Sequence, residues 1–317
     1  MSLMDVSFIG DGSHANRIKN ILNNLEFDFN YIKHDREIAI QDQINVMNSD
    51  VIFILSPNHT HIDYLRQLSE SYEGYVYCEK PVINNFQDIE IFSLLDFTRF
   101  FFGFNLRYSE FTKFIEVTNA KYDVGNLVNI NVHMSYPFSI KEHYKKSWKS
   151  DSNKSPSGVV ENLAVHYMDL AISLLGPPKK VNLSLTNVNR TGTADDTAAI
   201  TLIHKNGSSS QIFTSYATLA KESTYFAFER GDISYDGRTF HTYFPRETFN
   251  SQGLSICPPI VSKKEIESEL LYSESLFNCV NYFFKTAANK KLFSHDLFNR
   301  SKISTLAMLG KVDEHIS

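Results

Sequence analysis

Residues 6–25 set the first constraint on the fold. Val6 to Ile9 is a short apolar run, Gly10-Asp11-Gly12-Ser13-His14-Ala15 is a glycine turn, and Ile18, Ile21, Leu22 and Leu25 then recur on one helical face. A strand that passes through glycines straight into a helix opens a βαβ unit. Gly10 permits the tight turn, Gly12 lets the backbone approach a pyrophosphate, and Ala15 is small enough for helix to pack on strand. The helix start, at Ser13 and His14, offers free N–H groups and a positive dipole end to phosphates. Methyltransferases share similar turns, but the position at the first strand of the chain favours a dinucleotide.

The alternation continues. A strand over Phe27 to Ile32 is followed by His34-Asp35-Arg36. Asp35 lies 25 positions after Gly10, near the distance at which an acid holds the adenosine ribose, whereas Arg36 suits a 2′-phosphate. The pair favours NAD and keeps NADP open. Val51 to Leu55 is a third strand, ended by Ser56-Pro57-Asn58-His59-Thr60-His61, with a helix beyond. Ser56, Pro57 and Asn58 fall where a cofactor would lie, and His61 either joins them or bonds to backbone. Tyr75 to Tyr77 leads into Cys78-Glu79-Lys80-Pro81, residues 86–95 read as a helix, and Arg99 to Phe104 reads as a fifth strand. Strands alternating with helices over roughly the first 120 residues predict a doubly wound parallel sheet. Ligands bind beyond the carboxyl ends of such strands. Lys80 is therefore expected beside a nicotinamide ring and the carbon–oxygen bond that exchanges hydride with it.

Composition narrows the alternatives. With 317 residues, 42% of them hydrophobic, the chain can build two cores. A formal net charge of −5 and the lack of a long basic run argue against a nucleic-acid partner. No stretch has the length of a membrane span and no start resembles a signal peptide. Met1-Ser2-Leu3 before Met4 reads as a cloning remnant. Cys78, Cys257 and Cys279 show neither metal spacing nor a paired framework, which fits a reduced, cytoplasmic setting.

The pattern changes from Gly125. A strand over residues 127–136 is followed by a polar loop over 137–157 that holds the only tryptophan, Trp148. Residues 158–175 read as a helix stopped by Gly176-Pro177-Pro178. Asn162, His166 and Asp169 share one face of it, so His166 either points at substrate or is satisfied by Asp169. Glu161 turns roughly 100° from Asn162 on an ideal helix and reads as a poor substitute for it. Strands are expected over 181–188, 197–204, 212–217 and 225–229, with hairpin turns at Asn206-Gly207 and Asp236-Gly237. Helices are expected over 265–285 and 296–312.

The glycine turn, the Ser56 to His61 run, Glu79-Lys80-Pro81, Gly103-Phe104-Asn105-Leu106-Arg107-Tyr108, Trp148-Lys149 and the run from Gly158 to Asp169 together resemble the Gfo/Idh/MocA family of NAD(P)-dependent oxidoreductases. The resemblance implies a Rossmann domain over 1–120, followed over 121–317 by an α+β domain with a large, mostly antiparallel open sheet. It implies a sugar, cyclitol or nucleotide sugar as substrate, and homo-oligomers formed through the outer sheet face. It also implies a cis Lys80–Pro81 bond, and Glu79, Asn105 and Trp148 near the cofactor. Many members carry aspartate where this chain has Asn162, and members acting on UDP-linked amino sugars are among those with asparagine.

Alcohol oxidation needs a hydride acceptor, a proton acceptor and a charge for the emerging alkoxide. The expected division is that His166 moves the proton and Lys80 orients the oxygen, with Asn162 orienting His166. The reverse assignment of Lys80 and His166 stays open. So do two other classes: a relative that cleaves glycosides through transient oxidation, and a non-catalytic dinucleotide binder.

Overall fold

The computed structural model describes residues 3–25 and 27–312. Met1 and Ser2 of the expected remnant lie outside them. The first strand, β1 (Met4–Ile9), joins β2 (Phe29–Lys33), β3 (Val51–Ile54), β4 (Tyr75–Cys78) and β5 (Phe100–Phe102) in a sheet ordered β2-β1-β3-β4-β5, with every pair parallel. The expected doubly wound sheet is present. Its connections carry α1 (Ser13–Asn23), the short α2 (Ile44–Met47), α3 (His61–Ser71) and the short α4 (Ile91–Leu94). The helix expected over 86–95 is instead a tight turn at Phe86–Asp88 plus α4. Only Ile91 and Phe92 of the two pieces are buried, too little apolar surface to hold a longer cylinder.

After α5 (Glu110–Tyr122), β6 (Leu127–Ser135) enters the second sheet, which the short α6 (Glu142–Lys145) and then α7 (Val165–Leu175) interrupt. The sheet continues with β7 (Pro178–Thr186), β8 (Thr197–His204), β9 (Ser209–Ser215), β10 (Lys221–Phe228), β11 (Asp232–Tyr235), β12 (Thr239–Tyr243) and β13 (Ile260–Glu265). Its order is β13-β12-β11-β10-β6-β9-β8-β7, antiparallel except for β6 with β9. Alternation along β8 buries Ala198, Ile200, Leu202 and His204 and turns Thr197, Ala199, Thr201 and Ile203 outward. The strands β11, β12 and β13 extend the sheet beyond the sequence expectation. Gly207 and Gly237 sit at φ +91° and +92° in the two predicted hairpins, a region that favours glycine.

The chain ends in α8 (Ser268–Ala288) and α9 (His295–Met308). Both cross the proposed boundary at residue 120 in space. Cys279, Val280, Phe283 and Phe284 of α8 join Val6, Phe8, Phe53, Tyr77 and Phe101 in one core on the first sheet, with Phe283 edge-on to Phe53 at 5.3 Å. The opposite face of that sheet belongs to a core that runs on through α7 into the second sheet. The two sheets are thus held as neighbours by shared apolar packing, with the ends of the parallel strands at the junction.

Candidate active site

At the carboxyl ends of β1 and β3, where the strand order reverses, Gly10 adopts φ +110° and lies against the backbone of Leu55 and Ser56. A Cβ on Gly10 would sit 2.8 Å from the Leu55 carbonyl carbon, so glycine is required. Gly12 faces open space and leads α1, whose first turn has no acidic residue and no side-chain cap. Its free N–H groups are therefore available to an anion. Asp35 and Arg36 are exposed at the end of β2. The Asp35 carboxylate accepts from the Glu37 N–H, and Arg36 pairs with Asp11 of the glycine turn. Arg36 thus meets the glycine turn, with Asp35 next to it in the chain.

Beyond β4, Glu79 is almost fully buried. It accepts from the Tyr77 hydroxyl at 2.9 Å, and His14 Nε2 lies 2.9 Å from its Oε1. Burial would raise its pKa, but His14, Lys80 and Tyr77 outweigh that and hold it at about 2. Gly103 leaves room for the pair, since a Cβ there would lie 2.8 Å from Glu79 Oε1. The bond that follows, Lys80–Pro81, is cis. Lys80 is half-buried and donates from Nζ to the backbone carbonyl of Asn162 at 3.0 Å. Burial lowers its pKa to about 8, with Lys149 adding to the fall while Glu79 and Glu161 oppose it.

The helix expected over 158–175 begins with a π-turn at Val160–Ala164 before α7. Gly158 starts it at φ +51°, pressed against the Asp195 backbone, to which the Val159 N–H donates at 2.9 Å. A π-turn winds an extra residue into the cylinder, so ideal helical offsets no longer fix directions. Glu161, expected to point away, is fully buried in the junction. It accepts from Asn58 Nδ2 at 3.3 Å and from the Ser157 N–H at 3.4 Å. Burial raises its carboxyl pKa to about 7.

The Asn162 side chain does not hold His166. Its amide donates to Ser155 Oγ at 2.9 Å and to the Gly158 carbonyl at 2.8 Å, and its backbone carbonyl is what meets Lys80. Nor does Asp169 hold His166. That carboxylate takes a buried two-pronged bond from Arg107, at 2.9 Å from Nε and 2.5 Å from Nη2, and another from Ser304 at 2.6 Å. His166 keeps a buried Nδ1 with no hydrogen-bond partner among the described residues. Burial and then the charge of Lys80 push its pKa well below the usual histidine value, so its ring is neutral at neutral pH.

His61 takes the backbone alternative. It is fully buried, with Nδ1 2.9 Å from the Pro81 carbonyl and Nε2 3.0 Å from that of Ser56, leaving no nitrogen for a cofactor. Ser56 Oγ accepts from Thr60, next to Pro57. The buried Asn105 donates to Ser275 of α8 at 2.7 Å. Trp148 is half-buried, 6.0 Å from the His59 ring. Its neighbour Lys149, absent from the expected site set, lies over the Phe138 and Trp148 rings and lowers the pKa of both Lys80 and His166. The Trp148-Lys149 dipeptide was the available signal for it.

These residues fit a pyridine dinucleotide. Uncapped N–H groups and a side-chain-free Gly12 suit its pyrophosphate, and His166 Nδ1 is a buried nitrogen without a hydrogen-bond partner among the described residues. A groove of ≈ 590 Å³ lies elsewhere, on the outer face of the large sheet, lined by Asn131, His133, Thr201, Gln211 and Tyr225 among others. No described helix is long and apolar enough to cross a membrane.

Comparison with known proteins agrees with this geometry. Residues 12–95 match the profile described as oxidoreductase family, NAD-binding Rossmann fold, and residues 120–234 match that of the GFO/IDH/MocA C-terminal domain. A search of curated protein sequences found no match. Among solved structures, levoglucosan dehydrogenase in complex with NADH superposes with a TM-score of 0.75 at 16% identity, covering 98% of this chain and 96% of that one. GenD2 from gentamicin A biosynthesis, in complex with NAD, gives 0.75 at 12% identity, covering 98% and 93%. An oxidoreductase from Agrobacterium radiobacter, in complex with NAD+, L-tartaric acid and magnesium, gives 0.72 at 14%, covering 97% and 95%.

Proposed function

The chain belongs to the Gfo/Idh/MocA family of NAD-binding oxidoreductases, and from that premise we propose that it oxidises a secondary alcohol, or reduces the matching ketone, of a sugar, cyclitol or nucleotide sugar. The observation that carries the reading is the meeting of Lys80 with the helix of His166. Lys80 bonds to Asn162, one turn ahead of His166, and its charge lowers the pKa of that imidazole.

Bound NAD supplies the hydride acceptor. Gly10, Gly12, Ser13 and His14 would hold its pyrophosphate, Asp35 its adenosine ribose, and the residues after β3 and β4 its nicotinamide end. Arg36, engaged by Asp11, leaves NADP as the alternative that binding measurements decide. In the protein's own part of the chemistry, Lys80 is mostly an ammonium at neutral pH, since its pKa of about 8 lies above that pH. It is thus suited to donate a hydrogen bond to the substrate oxygen. His166, neutral and with a free ring nitrogen, is suited to accept the hydroxyl proton.

Half-buried rings support a sugar-like substrate. Phe138 and Trp148 flank Lys149 next to Lys80, and such rings present apolar faces to the C–H surfaces of a polyol while polar groups fix its hydroxyls. The nucleotide-sugar branch gains nothing from the Asn162 amide, which is spent on Ser155 and Gly158. A thermal-shift screen with NADH plus sugars, cyclitols and UDP- or dTDP-sugars tests the reading. Stabilisation by cofactor and ligand together is expected, followed by stoichiometric NADH formation from NAD. Release of an aglycone without NADH build-up would replace the reading with glycoside cleavage. The polar outer sheet face is proposed as a self-association surface, to be tested by light scattering.

A further inference from the structure

Glu161 is a carboxylate in a place that ordinarily excludes one. Val160, Leu163 and Ala164 of the same π-turn are buried with it, and burying a charge is costly unless something there uses it. The groups around it come from several elements. Asn58 donates from the loop after β3, and the Ser157 N–H donates from the loop before the turn. Lys80 acts on it from the loop after β4, and Tyr216 feels its charge from the end of β9. Lys80 Nζ donates at 3.0 Å to the carbonyl of Asn162, the residue next to Glu161, and feels the charge of two carboxylates: Glu79 on its own loop and Glu161 on the opposite lobe. The Glu79 charge is fixed by His14 and the Tyr77 hydroxyl. For Glu161 the charge that opposes burial is that of Lys80.

We propose that Glu161 is a positioning residue for the reaction, a buried carboxylate presented across the lobe junction that holds Lys80 in its charged form during turnover. The word turnover rests on the oxidoreductase reading above, whereas the pairing with Lys80 does not. The proposal goes with the assignment in which Lys80 orients the oxygen as an ammonium, a charge that an ionised Glu161 maintains. The ammonium is then lost as pH rises through about 8, and the position of the alkaline limb of the pH–rate profile depends on Glu161.

Two measurements on the full chain test this. The first needs no substrate: acetylation of Lys80 by acetic anhydride at pH 7, followed by mass spectrometry, in wild type and Glu161→Gln. Losing the carboxylate lowers the lysine pKa and exposes more neutral amine, so the variant should react about fivefold faster for a one-unit fall. Equal rates would overturn the pairing, whatever the enzyme turns over. The second is the pH dependence of kcat/KM with a substrate from the screen. In Glu161→Gln the alkaline limb should move about one unit to lower pH, because the lysine gives up its proton sooner. An alkaline limb that stays in place would overturn the proposal. Faster labelling in a protein without dehydrogenase activity would instead leave the pairing standing and remove the oxidoreductase reading.

Discussion

Lys80 Nζ donates a 3.0 Å hydrogen bond to the carbonyl oxygen of Asn162, 82 positions later in the chain. The donor stands at the end of a strand of the parallel sheet, and the acceptor stands in the π-turn that leads into α7. That bond joins the lobe expected to carry the dinucleotide to the lobe expected to carry the substrate. The properties of the site follow from this junction: Lys80 held partly desolvated, His166 kept neutral beside it, and Glu161 sealed in on the far side.

The buried pair of Arg107 and Asp169 supports α7 from behind, and its removal should be costly. Arg107→Ala leaves an unpaired carboxylate with about 1% of its side chain exposed and should lose about 3–5 kcal/mol of stability. Replacing both residues with apolar ones should recover much of that. Urea unfolding midpoints of the two variants check the expectation.

Glu161 should make stability depend on pH in a defined direction. Its folded pKa is raised from 4.5 to about 7, so the group contributes stability that is complete below pH 4.5 and is lost as pH rises through 7. Glu161→Gln removes the dependence. Relative to wild type, the variant should gain about 2 kcal/mol between pH 5 and pH 8. Thermal unfolding at the two values checks it, and a constant difference would mean that the carboxylate is not buried as described.

Much of this was legible in the residues. Gly10, Gly12 and Ala15 announce the first βαβ unit because each answers a steric demand of a strand–turn–helix, and the Lys80 motif follows from its place at a strand end. The partners of α7 were not legible. Asp169 pairs with Arg107, 62 positions away, and with Ser304, 135 positions away, distances no local pattern encodes. Glu161 was misdirected by an ideal helical offset, since nothing in the run from Gly158 to Asp169 signals that the turn is wound as a π-turn. Asn162 was assigned through its amide, while its backbone carbonyl makes the contact.

Cofactor preference should follow Asp35. Its carboxylate is exposed just beyond β2, next in the chain to Arg36, which pairs with Asp11 of the glycine turn. If it holds the adenosine ribose, Asp35→Ala should weaken NAD by roughly tenfold, the loss of one charged hydrogen bond, while NADP binding changes little. Fluorescence titration with NADH and NADPH checks it, and unchanged NADH affinity would remove Asp35 from the site.

The central claim is that one amine and one imidazole act on the same carbon–oxygen bond. Single-turnover hydride transfer, with NAD bound and a substrate from the coupled screen, tests it most directly. Lys80→Ala and His166→Gln should each slow that step by roughly 10²–10⁴-fold, with NAD affinity within a few-fold of wild type. Either variant transferring hydride at the wild-type rate would contradict the account.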